Sequence, residues 1–512
     1  MKQLIVTAIV AFLFSPFSLF TQATNAQSSD AAFTADLDAM ARKVMARLPE
    51  VPGVAVVVIK DDKPVFLRSY GIADKEAGLK ADTDTLYYIA SSTKSFTALA
   101  AALLDKEGKI KLDEPVTKYA AGLTFKTAIP DKVKVRDLLT HTSGLRNGPL
   151  VFRMAYSGES DEKDMMRVFA DATTYDEARH GKYAYDNLGY NIYGLLVQLT
   201  LKKKWQDVLQ EKIFGPLKMG HTTAYVSKAK AAKMQVARGY LFSPETGTVV
   251  PSPIAKTDNN MQSAGGMFTT ANDLGRWLRM NMNDGKLDGK QVIPADIVKS
   301  VHAGYTPTTR DQGPFKGNGT GEYGLGWQIG QYADQKVIYH NGGFPGWTNH
   351  ISYMPGKNIG VAVLVNESTA GGDAGHTLAT YTYDWWLGIL GRETKYTNGL
   401  EAGAGNYNKM QQSQIAAFRD RAKRTSHLTK PLQDYAGRYM SDILGNIKIS
   451  VRGNSLAVTF GNIDAVSTAF TEKETIRVEF IPNQGEVIRF GLNADGIVDS
   501  LNYGGMTFSR VR

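Results

Sequence analysis

A serine three residues ahead of a lysine is the first feature of this chain able to do chemistry. Ser91-Ser92-Thr93-Lys94 follows the apolar approach Leu86-Tyr87-Tyr88-Ile89-Ala90 and opens a run with Phe96, Leu99, Ala100, Leu103 and Leu104 at helical spacing. Side chains three apart share a helix face, so Lys94 can reach the Ser91 hydroxyl. A helix N-terminus also favours the negative charge that develops during acyl transfer. The same spacing recurs at Ser160/Lys163 and Ser227/Lys230, in polar stretches with no hydrophobic helix behind them. Context therefore singles out Ser91 as the nucleophile.

An ordinary lysine is a poor base, since with a pKa near 10.4 only about one in 2,500 is neutral at pH 7. Burial or a neighbouring cation must lower that value, and a second group is expected to share the task. Tyr185-Asp186-Asn187 supplies it, ahead of Leu188-Gly189-Tyr190 and the helical run Ile192, Leu195, Leu196 and Leu199. A phenol beside serine and lysine can relay or accept the proton, and an asparagine amide can hold a substrate carbonyl. The plainer reading, a turn tyrosine with a capping asparagine, is assigned to Tyr396-Thr397-Asn398.

His340-Asn341-Gly342-Gly343 follows the strand Val337-Ile338-Tyr339. Glycines at Gly342 and Gly343 let a substrate backbone lie close to an edge strand. The amides of Ser91 and Gly343 can together form an oxyanion hole. His302-Ala303-Gly304 repeats the short pattern in an unrelated place, so the other histidines are read as structural. No H-E-x-x-H or metal-spaced cluster appears, and neither metal nor cofactor is expected.

These residues need elements to hold them. Leu37, Met40, Ala41, Val44, Met45 and Leu48 predict a helix, with Thr34 as its N-cap. Val54 to Ile59 and Val65 to Tyr70 predict a hairpin about Asp61-Asp62-Lys63. Strand patterns return at residues 337–339, 348–353 and 360–365, after a mostly helical middle. One antiparallel sheet completed by both ends of the domain, in an α/β (α+β) sandwich, is the fold expected. Residues 396–430 read as a linker, with the small-residue run Ala402 to Gly405 and a possible connecting helix from Lys409 to Lys423. From residue 431 to 512 the period becomes two, as in Ile447, Ile449 and Val451, which predicts a small β-barrel.

The chain has 512 residues, 43% hydrophobic and 21% charged, enough for a large domain and a second unit. Its 59 Lys and Arg exceed 50 Asp and Glu, but the excess is thinly spread, and nucleic-acid binding is not expected. Residues 1–26 read as an export signal: Lys2, a largely apolar Leu4 to Phe20, then small Thr24 and Ala26 before Gln27. Pro16, Ser15 and Ser18 interrupt the apolar run and favour cleavage over a retained anchor. A periplasmic or secreted protein, with no stable membrane insertion after cleavage, is the expectation. The absence of Cys excludes disulfides, a thiol nucleophile, thiolate metal sites and a Cys-linked lipid.

The three motifs in this order resemble the class C β-lactamase-like serine hydrolases, the penicillin-recognising peptidase S12 family. Other segments extend the likeness over about residues 30–390. They are His141 to Leu145, Ile213-Phe214 with Pro216-Leu217 and Met219, Gly265-Gly266 through Asp273-Leu274, Tyr323 to Trp327, and Gly346-Trp347. The resemblance implies a β-lactamase/transpeptidase-like fold with Ser91 as acylated nucleophile and Lys94 as its first partner. It makes Tyr185 the general base and later acid, Asn187 a substrate-amide contact, and His340 the third-motif side chain. Dedicated β-lactamases of this class usually carry Lys where His340 stands, which counts against that activity. The tail, residues 431–512, resembles a lipocalin-like domain often attached to such hydrolases, leaving residues 27–395 as the hydrolase domain.

The function expected is an exported serine hydrolase acting through an acyl-enzyme on small amides, such as D-amino-acid-containing or cell-wall peptides. An esterase, a β-lactamase and a penicillin-binding-like protein that does not turn over follow as alternatives. The expected partner is a small-molecule or short-peptide substrate.

Overall fold

A computed structural model describes residues 17–159, 161–308, 313–315 and 321–511. Most of the expected export signal, residues 1–16, lies outside the described residues, as does Ser160.

The apolar run from Val54 to Ile59 explains why a sheet forms the centre of the molecule. Alternate side chains of a strand point to opposite faces. Ala55, Val57 and Ile59 enter one hydrophobic core, whereas Val54, Val56 and Val58 enter a second on the other face. Ala362 and Leu364 repeat the first pattern, Val361, Val363 and Val365 the second. A strand apolar on both faces must be covered on both.

The sheet contains β1 (Gly53–Lys60), β2 (Lys63–Asp74), β3 (Leu79–Lys80), β4 (Thr306–Thr308), β5 (Gly321–Tyr323), β6 (Gln328–Tyr332), β7 (Gln335–Phe344), β8 (Trp347–Met354) and β9 (Ile359–Val365). Their order is β4-β5-β6-β7-β8-β9-β1-β2-β3. Antiparallel pairing of β1 with β9, Val54 opposite Val365, joins the two ends of the domain as expected.

Helices α1 (Phe17–Arg47), α2 (Thr93–Lys106), α3 (Leu188–Leu201), α4 (Ala271–Met282), α5 (Gly371–Trp386) and α6 (Arg392–Ala422) supply the outer layers. The first core gathers α2, α3 and α4, where Phe96 stacks on Trp277 with ring centroids 3.7 Å apart. The second gathers α1, α5 and α6. Helix α1 starts well before Thr34 and passes unbroken through residues 26 and 27. Thr34 is therefore no N-cap; its hydroxyl donates to Val65 O at 2.9 Å and pins α1 to β2.

The segment read as a linker differs most. Residues 392–422 form one 31-residue helix, and the boundary expected at residue 395 falls inside it. Tyr396, Leu400 and Tyr407 bury themselves in the second core. Tyr396 is thus a buried helical residue rather than part of a turn, and its hydroxyl donates to the buried Asp384 at 2.9 Å. The small residues allow close approach: a side chain at Gly403 would stand 3.4 Å from Asp373 Oδ2. Small residues suit tight packing as well as flexibility, and composition alone does not separate the two.

The tail has nine strands: β10 (Gly437–Ser441), β11 (Gly445–Arg452), β12 (Ser455–Phe460), β13 (Ile463–Val466), β14 (Thr468–Ala469), β15 (Thr475–Ile481), β16 (Gln484–Leu492), β17 (Val498–Tyr503) and β18 (Met506–Val511). Their order is β13-β12-β11-β10-β18-β17-β16-β15-β14, and β13 meets β15 to make a nearly closed barrel. Ile447, Val458, Phe460, Val478, Ile488 and Phe508 are among the side chains in its core.

Candidate active site

Ser91 lies on a single 3-10 turn, Ala90–Ser92, that runs directly into α2. Ala90 holds φ at +43°, a conformation disfavoured for a residue with a side chain and common where a functional group must be presented. The turn is tied to the sheet by Asn349 of β8. Its amide donates to Ile89 O at 2.8 Å and Gly342 O at 3.2 Å, and its oxygen accepts from Ser92 Oγ at 2.5 Å.

Gly342 belongs to the same contact. A Cβ there would fall 2.0 Å from Ile89 O, so the missing side chain makes room for the nucleophile turn. Gly343 differs, because nothing lies within 4 Å of its added Cβ. Nor is β7 an edge strand, since it pairs with both β6 and β8. However, β6 registers only with residues 335–339 of β7. The third motif, residues 340–343, runs past that partner, leaving the β6 side of this half open in the sheet.

Lys94 is fully buried. Its ammonium donates to Ser91 Oγ at 3.1 Å, Asn187 Oδ1 at 2.7 Å and Ala264 O at 2.9 Å. Asn187 Oδ1 and Ala264 O can only accept, whereas the Ser91 hydroxyl can accept from a charged amine or donate to a neutral one. The same nitrogen lies 4.9 Å from the centroid of the Tyr185 ring and 5.5 Å from that of Tyr190. The structure thus brings Ser91, Lys94, Tyr185 and Asn187 together around one cation.

Tyr185 packs on His141, with ring centroids 4.5 Å apart. His141 also holds a positive φ, +60°, and its Nδ1 accepts from Asp186 N at 3.4 Å. Its ring therefore supports the second motif from below. Burial pushes the Asp186 carboxyl above its usual range. His340, 1% exposed, donates from Nδ1 to Asn341 O at 2.7 Å, and its Nε2 stands 3.3 Å from Tyr323 OH. The Tyr323 hydroxyl can donate to that nitrogen or accept from it. Burial holds the Tyr323 phenol well above its ordinary value, so the hydroxyl remains a donor.

Periodicity did not point to Asn349, Ser92 or Ala264, since their partners lie far along the chain; His141 was legible only as part of a family segment. The competing serine motif at Ser227 has another occupation, its hydroxyl donating to Asp258 at 2.5 Å. His302 bears out its structural reading: it contacts Asn281 and Tyr353, and burial pulls its pKa down to about 3. A cavity of about 350 Å³ opens beside Asn187, lined by Leu145, Val151, Phe152, Tyr156 and Leu188 among others.

Sheet, helices and site define a β-lactamase-like hydrolase fold. The family described as Beta-lactamase matches residues 41–381, and the chain belongs to it. A similar curated protein is Protein flp of Staphylococcus aureus (strain MW2), 26% identical over 323 residues, which is 62% of this chain and 60% of the relative. The match thus spans less than two thirds of that relative. Unguisins hydrolase ungD of Aspergillus violaceofuscus (strain CBS 115571) is 25% identical over 432 residues, 79% of this chain and 74% of the relative. Among solved structures, the octameric penicillin-binding protein homologue from Pyrococcus abyssi has a TM-score of 0.60 at 24% identity, covering 93% of this chain and 99% of that one. A penicillin binding protein from Bacillus halodurans gives 0.51 at 21% identity, covering 65% and 96%. Both structural likenesses are of fold.

Proposed function

We propose that the chain is a serine hydrolase that forms an acyl-enzyme at Ser91. The observation that carries this reading is the buried Lys94 ammonium, shared between the Ser91 hydroxyl and the Asn187 amide. Asn187 Oδ1 and Ala264 O hold two of the Lys94 hydrogens, which leaves its nitrogen turned to the Ser91 hydroxyl. Tyr185, whose ring stands against Lys94, is the general base in this reading. Lys94 then orients Ser91 and stabilises the charge on its oxygen, and the amides of Ser91 and Gly343 receive the carbonyl oxygen. Tyr185 returns the proton to the leaving group, and water repeats the sequence to release the acid.

The substrates proposed are small, uncharged amides, including D-amino-acid-containing or cell-wall peptides, with esters second. His340, where dedicated β-lactamases usually carry Lys, supports neutral groups over the carboxylate of a β-lactam, and the cavity offers Leu145, Val151, Phe152 and Leu188 beside Arg146 and Arg179. The similarity to Unguisins hydrolase ungD supports hydrolysis. The pattern of Lys2, an apolar run and Ala26 supports export.

Ser91→Ala should abolish labelling by a fluorophosphonate probe, and the native protein should cleave D-aminoacyl amides or short esters faster than nitrocefin. Labelling that persists in the variant sinks the assignment of the nucleophile. Efficient nitrocefin hydrolysis restores the β-lactamase reading.

A further inference from the structure

The cavity beside Asn187 has a wall that the hydrolase part does not hold alone. Phe152 and Tyr156 line it from residues 152–159, a stretch that winds as a π-helix over Arg153–Ser157. Such wide turns are rare and have weak hydrogen bonding of their own, so neighbours must fix them. Here the neighbours are two barrel hairpins. Phe152 stands 5.0 Å from the ring of Phe460 and 6.3 Å from that of Tyr503. Asn462 N donates to Ser157 O at 2.7 Å, Asn446 N to Glu159 Oε2 at 2.8 Å, and Arg153 Nη1 to Ile443 O at 3.0 Å. The join leaves no spare room, since a Cβ on Gly461 would meet Ser157 O at 2.2 Å.

The opposite side of the stretch reaches the catalytic strand. Tyr156 stacks on Phe344, the residue after Gly343, with centroids 5.4 Å apart. Buried Lys256 donates to Ala155 O at 2.9 Å and lies 3.6 Å from the centroid of the Phe344 ring. A continuous set of contacts thus joins barrel, cavity wall and third motif.

We propose that the C-terminal barrel selects substrate. By clamping Phe152, it fixes the apolar wall of the cavity, so that Phe460 and Tyr503 are positioning residues favouring a large apolar group next to the scissile bond. The proposal rests on the serine-hydrolase reading above. A barrel that served only as an appendage would have no reason to grip the one irregular helix that lines the cavity.

The test compares p-nitrophenyl 3-phenylpropanoate with p-nitrophenyl acetate on the full chain, with fluorophosphonate titration of active sites. Phe152→Ala should lower the phenylpropanoate-to-acetate ratio of kcat/KM about tenfold, mainly through KM, the scale of losing an apolar contact. Phe460→Leu, made in the barrel, should move the ratio the same way, and Phe152→Leu should recover most of it. The Phe152→Ala/Phe460→Leu double variant should be little worse than Phe152→Ala alone, because both act on one wall. A folded Phe460→Leu protein with unaltered selectivity, or losses that multiply, overturns the proposal. A native chain that takes neither probe nor ester defeats the hydrolase reading instead. Preferential binding of 3-phenylpropanamide over acetamide by Ser91→Ala, followed by NMR, then decides the wall separately: its persistence in Phe460→Leu overturns the proposal, and its loss upholds it.

Discussion

The partners of Lys94 place it at this site more firmly than the spacing of its motif. A buried lysine without acceptors would be pushed toward the neutral form and become a base. This one faces Asn187 Oδ1 and Ala264 O, which can only accept, and the Ser91 hydroxyl, which can accept or donate. In the proposed mechanism lysine and tyrosine act as a unit on the Ser91 proton. Lys94→Ala and Tyr185→Phe should each slow acylation by about a hundredfold or more, the scale of losing a general base. Their combination should be little worse than either alone, because groups acting as a unit are not additive. Stopped-flow acylation with an activated ester reads both; multiplicative losses would mean independent roles.

Among the elements, the strand carrying the third motif is set by what packs behind it. Gly342→Ala puts a methyl group onto Ile89 O and must force β7 away from the nucleophile turn. Fluorophosphonate labelling should fall at least tenfold, with a lowered Tm, whereas Gly343→Ala, pointing into open space, should keep the native Tm. Equal melting temperatures for the two would show that the strand can shift. The N-terminal end of α5 offers a pH test. Glu367 is buried and accepts from Thr369 N at 2.7 Å and Gly371 N at 2.8 Å. Burial outweighs those amides and raises its pKa to about 7 from an ordinary 4.5. A carboxyl whose folded pKa is raised stabilises fully below its unfolded value and loses that contribution as pH rises through the folded one. A loss of about 3 kcal/mol follows between pH 4.5 and the region above 7. Thermal melting from pH 5 to 8 should show that fall, and Glu367→Gln should flatten it; an unchanged slope would assign the titration elsewhere.

The molecule as a whole has two parts joined by a shared wall, and one hydrophobic cluster gathers the barrel interior with Tyr88, Phe268, Phe344 and Trp347 of the hydrolase part. The barrel closes its interior with its own side chains, so residues 427–512 should fold in isolation, with a cooperative melt. Removing them is a different matter for the rest. The sheet and its two helical layers keep their cores, but Phe152 loses Phe460, and the buried Arg153 loses Ile443 O. A hydrogen bond to a charged group contributes about 1.5–3 kcal/mol. The shortened chain should therefore remain folded with a lower Tm and bind a hydrophobic dye at the uncovered face. A truncated protein that melts like the whole would show that the junction contributes nothing.

Patterns that repeat along the chain are legible in the order of its residues. Ser91 and Lys94 share a face because their spacing is that of a helical turn, and the apolar run behind them singles out one of three such pairs. The doubly apolar strands at residues 54–59 and 360–365 imply a sheet covered on both sides, and the alternation after residue 431 implies the barrel. A run of small residues misled: Ala402 to Gly405 suggested a linker where it permits close packing. The rest had no period to betray it. Asn349 meets a serine 257 residues away, Lys94 takes a carbonyl 170 residues away, and the wall at Phe152 is held from residue 460. Helical and strand periods arise from backbone geometry, which acts between near neighbours. A hydrogen bond across the molecule needs only that two polar groups come within about 3 Å with neither left unpaired, and only the folded chain decides which groups those are.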